Sequence, residues 1–269
     1  MFVTRLISGI VLVAVALLTI CSGGWILYGT LTIVSLIGMF ELYRAVKVQK
    51  QGENLLAVVG YLGVILHYIL LSLGYSEYAM MNLIIVLIAM MFVYVFSYPK
   101  YHAEQVMAAF FGVVYVGVML SYIYQTRMIR DGAFLVWLIF LCSWGCDTCA
   151  YCVGVLIGKH KMAPVLSPKK SVEGGIGGVI GAALLGALYG FLVRNQVGFD
   201  HPALVCAVVC GVGGLISMVG DLAASAVKRN YGIKDYGKLI PGHGGILDRF
   251  DSVLFTAPVI YYLTTLFVL

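Results

Sequence analysis

SAVKRNYGIKDYGKLIPGHGGILDRFDS, residues Ser225 to Ser252, is a polar island between two long apolar runs. It holds five basic residues (Lys228, Arg229, Lys234, Lys238, Arg249) and three acidic ones (Asp235, Asp248, Asp251). Charge in hydrocarbon is costly, so such an island lies at or beyond a membrane surface, or lines a polar cavity. The flanking runs decide which kind of membrane protein this is. They are continuous rather than alternating, which is the pattern of spanning helices and not of barrel strands.

The rest of the chain agrees. Over 269 residues, 62% are hydrophobic and 11% charged, with a mean hydropathy of +1.00. Soluble proteins carry about 25% charged residues. The expected fold is all-α, a polytopic integral membrane protein with about nine spanning helices of roughly 20 residues each. The first run follows Arg5 and ends near Ile20. Apolar helices continue at once, so it reads as an uncleaved span rather than a signal peptide. Further runs cover 25–46, 55–73, 78–98, 105–128, 133–157, 174–193, 202–227 and 253–269. Breaks are expected at 74–77, and at Gly213-Gly214, where a helix could kink or split. No linker, low-complexity tract or internal repeat stands out. Residues 1–130 read as a transmembrane scaffold. Residues 131–269 read as the catalytic region, with polar loops at 158–173 and 225–252.

The island has the chemistry of phosphate and divalent metal. Gly242, Gly244 and Gly245 let the backbone turn its N–H groups towards an anion, and Pro241 stiffens the entry. Lys228, Arg229, Lys234 and Lys238 are candidate phosphate partners. Asp248 and Asp251 are three residues apart, and a helix starting near Ile246 would put both on one face. Paired carboxylates suit Mg²⁺ beside nucleotide phosphates. The plainer reading is a solvated basic loop with a glycine turn.

Three more constellations lie upstream. Asp147 sits inside an apolar run, where an acid is a functional candidate, or else a hydrogen-bonding partner between helices. Ser167-Pro168-Lys169-Lys170-Ser171-Val172-Glu173-Gly174 gives a turn, two cations and a helix start, and helix starts attract anions. Asp221, Ser225 and Lys228 fall on one helical face. Asp221 is read as a metal ligand with Asp248 as its match, against a plain Asp221–Lys228 ion pair. Cys142, Cys146, Cys149 and Cys152 tempt one towards a metal site, but read better as small packable thiols at helix contacts. His67 and Tyr68 read as packed residues. No base-stacking motif interleaves aromatics with cations, so nucleic acid is discounted.

Charge sets the orientation. With the amino terminus inside, every Lys and Arg except Arg127, Arg130 and Arg194 falls in an inside segment, Lys50 and Lys100 included. The positive-inside rule favours that arrangement, which puts both polar loops in the cytoplasm.

These motifs resemble the phosphatidate cytidylyltransferase (CDP-diacylglycerol synthase) family. The family pattern runs Ser, Lys-Arg, Lys-Asp, Pro-x-His-Gly-Gly, Asp-Arg-x-Asp. Here it is met by Ser225, Lys228-Arg229, Lys234-Asp235, Pro241 to Gly245 with His243, and Asp248-Arg249-Phe250-Asp251. Trp144, Asp147, Thr148, Ala150 and Tyr151 match a second pattern. Ser167 to Gly174 matches a third, with Ser171 where Thr is usual. Met218 stands where the family has Gln. The resemblance implies transfer of a cytidylyl group from CTP to phosphatidate in the inner (cytoplasmic) membrane, with CDP-diacylglycerol and pyrophosphate as products. Asp221, Asp248, Lys228, Arg229, His243 and Arg249 would be catalytic. Lys169, Lys170, Ser171, Glu173, Ser225, Lys234, Gly244 and Gly245 would bind substrate. Asp221 and Asp248 would hold Mg²⁺, with Asp251 and Asp147 as lesser ligands and room for a second cation. Membrane lipids are partners, and a homodimer is a further expectation. The rivals are a CTP-dependent lipid kinase and a transporter of a phosphorylated solute. A transporter should show paired broken helices in related halves, and the sequence shows no such symmetry.

Overall fold

The computed structural model describes residues 2–49, 54–242 and 244–268. Lys50, His243 and Leu269 lie outside the described residues. The helices are α1 (Phe2–Ser22), α2 (Gly24–Ala45), α3 (Leu55–Ser72), α4 (Ala79–Phe96), α5 (Ala103–Met128), α6 (Gly132–Ile157), α7 (Val172–Leu192), α8 (Pro202–Asn230) and α9 (Leu247–Val268). Eight are long and apolar enough to cross a membrane among the described residues. The described apolar stretch of α1, Ser8–Ser22, is shorter than a span. The fold is thus all-α and polytopic; eight such helices are found among the described residues, against the nine spans expected.

Two compact units emerge, one of residues 1–121 with 231–249, the other of residues 122–230 with 250–269. In the first unit, α2 buries Leu27, Leu31, Ser35, Gly38, Met39 and Leu42 on one face, the spacing of an amphipathic stripe. Trp25, Ile33 and Phe40 on the same helix remain exposed, as lipid-facing residues would. Close approach between helices comes from glycine. A side chain at Gly60 or Gly112 would strike the Tyr43 ring, and one at Gly63 would strike Val86. Association in lipid relies on such packing and on interhelical hydrogen bonds. Tyr43 donates to the Ala109 carbonyl at 2.6 Å. His67 Nε2 lies 3.1 Å from Ser121 Oγ, and Asn82 donates to the Gly63 carbonyl at 3.0 Å. The break at 74–77 is a turn through Gly74, at φ +82°, into a 3₁₀ turn, Ser76–Tyr78.

In the second unit, α7 packs against both α6 and α8. Its buried stripe is Gly174, Gly178, Ala182, Gly186 and Gly190, one residue per turn. The cysteines fill the hollows that glycines leave. Cys146 lies against Gly178, Cys149 against Gly181, Cys210 against Gly186 and Cys142 against Gly213. α8 is one continuous helix through Gly213-Gly214, where the sequence allowed a kink or a split. These glycines are buried and serve close contact. A Cβ at Gly213 would sit 2.7 Å from Cys142 Sγ. The loop before α7 is partly a β-hairpin, which the sequence reading did not anticipate. Strand β1 (Lys161–Ala163) pairs antiparallel with β2 (Ser167–Ser171).

Candidate active site

In the first unit, the site is built on the loop between Tyr231 and Ile246. Gly232, Gly242 and Gly244 adopt φ of 65°, 79° and 89°, a region that side chains disfavour. Ile240 N–H donates to the Gly244 carbonyl at 2.9 Å, closing a tight turn that begins with Pro241-Gly242. The result is a cleft of about 650 Å³ lined by Lys234, Asp235, Gly237, Lys238, Ile240, Gly242, Gly244 and Arg249. Lys234 and Lys238 are exposed, and Arg249 is half-buried. Three cations and a glycine backbone around one opening suit a polyphosphate.

Asp248 sits behind that loop, buried at 5% exposure. Its Oδ2 accepts the N–H of Tyr236 at 2.8 Å and of Gly245 at 3.0 Å. The carboxylate thus ties the first turn of α9 to both arms of the loop. An acid there also suits the positive end of the helix. Residues near the amino terminus add to the fixing. Glu41, near the carboxyl end of α2 and 3% exposed, accepts the N–H of Ile246 at 3.1 Å and of Leu247 at 2.9 Å. Arg44 donates to the Tyr236 carbonyl at 3.3 Å, and Ser8 to the Pro241 carbonyl at 3.1 Å. The sequence reading missed Glu41 by treating residues 1–130 as scaffold. The signal was available: an acid inside an apolar run, the criterion that singled out Asp147.

In the second unit, carboxylates and lysines form a cluster. Lys170, from β2, is ion-paired with Asp221 of α8, each side chain 26% exposed. Lys228 Nζ lies 3.9 Å from Asp251 Oδ2. Asp251 is also within electrostatic reach of Asp221 and Asp147. Asp147 is half-buried, just after a π-helical turn, Leu141–Gly145; such turns are frequent at functional sites. Asp221, Ser225 and Lys228 share a face of α8, as their spacing requires. The partner of Asp221 is Lys170, which the sequence reading did not pair with it.

Ser171 caps α7, accepting the Gly174 N–H at 3.1 Å, so the expected helix start is present. Glu173 accepts the N–H of Lys159 at 3.1 Å and the ring Nδ1 of His160 at 2.6 Å; its oxygens fasten the turn before the hairpin. Lys169 and Arg229 are exposed.

No group of three or more His, Cys, Asp or Glu is placed to hold a metal ion among the described residues. Mg²⁺ does not need such a cage. It keeps several waters and takes one or two carboxylates together with substrate phosphates. Asp221 and Asp251, within electrostatic reach of each other, offer the one or two carboxylates such an ion takes.

Spanning helices that carry a cationic glycine-rich cleft and a carboxylate–lysine cluster define a polytopic membrane enzyme of phosphate chemistry. Comparison with known proteins agrees. The model of the cytidylyltransferase family matches residues 3–267. A phosphatidate cytidylyltransferase of Staphylococcus epidermidis is 35% identical over 262 residues, 95% of this chain and 96% of the relative. One from Staphylococcus aureus is 34% identical over 264 residues, again 95% and 96%. One from Staphylococcus haemolyticus is 42% identical over 148 residues, and there the chain spans 55% of the relative's length. The chain belongs to the cytidylyltransferase family, and it is a nucleotidyltransferase. CTP-dependent CDP-diacylglycerol synthesis is the activity that the family and these relatives support.

Proposed function

We propose that this chain joins the phosphate of phosphatidate to the α-phosphorus of CTP by in-line displacement, releasing pyrophosphate and giving CDP-diacylglycerol. The single observation that carries the reading is the cleft of Lys234, Lys238 and Arg249 around glycine backbone, in a chain of this family. The attacking phosphate oxygen is already anionic, so no strong general base is required. Positioning and charge neutralisation then supply the rate. Lys234, Lys238 and Arg249 bind the nucleotide phosphates and offset the charge of the departing pyrophosphate. Asp248 keeps the loop backbone in place for them. Lys228 and Lys170 stand beside Asp251 and Asp221, where they can exchange carboxylate for phosphate partners. Lys169, Ser171, Ser225 and Arg229 are secondary contacts for substrate.

Asp221 and Asp251 are the carboxylates proposed to hold Mg²⁺, with Asp147 near them. Bound there, the ion neutralises phosphate charge and orients the reacting oxygens. Asp248, the other expected ligand, has a different use for one of its oxygens, the backbone of its own loop. The membrane is proposed to be the cytoplasmic one with both polar loops inside, on the charge distribution and because CTP is cytoplasmic. Purified protein should form CDP-diacylglycerol from CTP, phosphatidate and Mg²⁺ in detergent micelles. Absence of that product, with the protein folded, would refute the reading.

A further inference from the structure

We infer that Glu41 is a positioning residue for the nucleotide cleft, acting through the backbone of the loop and the start of α9. The inference rests on the cytidylyl-transfer reading and concerns that same site. Glu41 is far from the loop in sequence, buried on a helix whose other buried residues carry no charge. Its two oxygens take two different donors, Ile246 N–H and Leu247 N–H. Those are among the amides that the start of a helix leaves without a partner in the helix itself. A buried acid with no such partner would be costly, and amide bonds to a charged acceptor are the strong kind.

The loop is cut to fit this carboxylate. A side chain at Gly237 or at Gly245 would collide with it. Gly237 also lines the cleft, so one residue touches the carboxylate and the cleft at once. One turn further along α2, Arg44 donates to the Tyr236 carbonyl at 3.3 Å. The α2 helix therefore grips the loop at two places, Tyr236-Gly237 on entry and Gly245 to Leu247 on exit. The cationic residues Lys238 and Arg249 follow directly on those anchors. Glu41 is not among the residues that line the cleft. What it sets is the path of the backbone whose other face is the cleft.

Full-length protein in detergent micelles tests this through separate KM values for CTP and phosphatidate. E41Q keeps the size but turns one oxygen into a donor facing an N–H. It should raise the CTP KM about tenfold, the scale of one charge-assisted hydrogen bond, and leave the phosphatidate KM alone. E41D keeps the charge on a shorter stem and should raise the CTP KM less. Hydrogen exchange should quicken at residues 236–247 in E41Q and stay unchanged in α4. Ser35→Ala, on the same helix as Glu41, removes a buried bond to Tyr68 of α3 and should lower thermal stability without moving the CTP KM. If E41Q cannot be recovered folded, E41D carries the test, and an unchanged CTP KM in it overturns the inference. Equal rises in both KM values overturn it too, because they report general disorder. Wild-type protein that makes no CDP-lipid removes the functional reading and this inference together; an active wild type with an unshifted E41Q removes this inference alone.

Discussion

Asp248 holds Gly245, three residues before it, through a 3.0 Å bond from the glycine N–H to its Oδ2, and the same oxygen takes the N–H of Tyr236. The acid expected from the sequence to be catalytic and to hold metal is the knot of its loop. This gives Asp248→Asn and Asp248→Ala different outcomes. The asparagine keeps an oxygen for the two amides but a neutral one, so the protein should fold, with activity down about tenfold from weaker bonds holding the loop. The alanine strands two buried amides and should cost about 2 kcal/mol or more in thermal unfolding. Near wild-type turnover of Asp248→Asn at limiting Mg²⁺ would show that its charge is dispensable.

Gly244 has φ +89°, and a Cβ there would meet Asp248 Oδ2 at 2.9 Å. Gly244→Ala combines backbone strain with a steric push on the knot, and should destabilise by roughly 1–3 kcal/mol. It should also weaken CTP binding. Gly29→Ala, at a helical position with open space around it, is the control. A melting temperature unchanged in Gly244→Ala would contradict this description of the turn.

The ion pair of Lys170 with Asp221 predicts coupling. Lys170→Met and Asp221→Asn should each lower activity, and the double variant should lose less than the product of the two single losses, because partners in contact do not act independently. Strict additivity in activity and in thermal stability would mean that the pair is incidental.

Much of this architecture could be read from the sequence, for reasons that are local. Long apolar runs marked the helices because about 20 apolar residues are needed to cross the hydrocarbon core. The Ser-x-Glu-Gly helix start was legible as a cap, and Ser171 makes that bond. The hairpin at 161–171 was not legible, since its strands are short and have no apolar alternation. Gly213-Gly214 suggested a bend because a glycine pair permits one, yet nothing in the local sequence tells that the space is taken by Cys142 and Ala182. Glu41 was overlooked for the opposite reason. The sequence marks it as odd, but its partners, Ile246 and Leu247, lie some two hundred positions away.

Orientation is open to labelling. In a cysteine-free background, Lys161→Cys and Lys238→Cys should be shielded from impermeant thiol reagents in intact cells, while Asn195→Cys should react. Labelling of Lys238→Cys from outside would reverse the charge-based topology.

The α-phosphorus of CTP is the one proposed to be attacked. A lipid kinase could use the same cations and carboxylates, but it would cut between the β and γ phosphates. Cytidylyl transfer cuts between α and β, so the lipid keeps the α-phosphorus and the nucleoside. Purified protein with phosphatidate and Mg²⁺ should therefore place label from α-labelled CTP in the lipid, and label from γ-labelled CTP in pyrophosphate. Lipid labelled from the γ position, with none from the α position, would contradict the account.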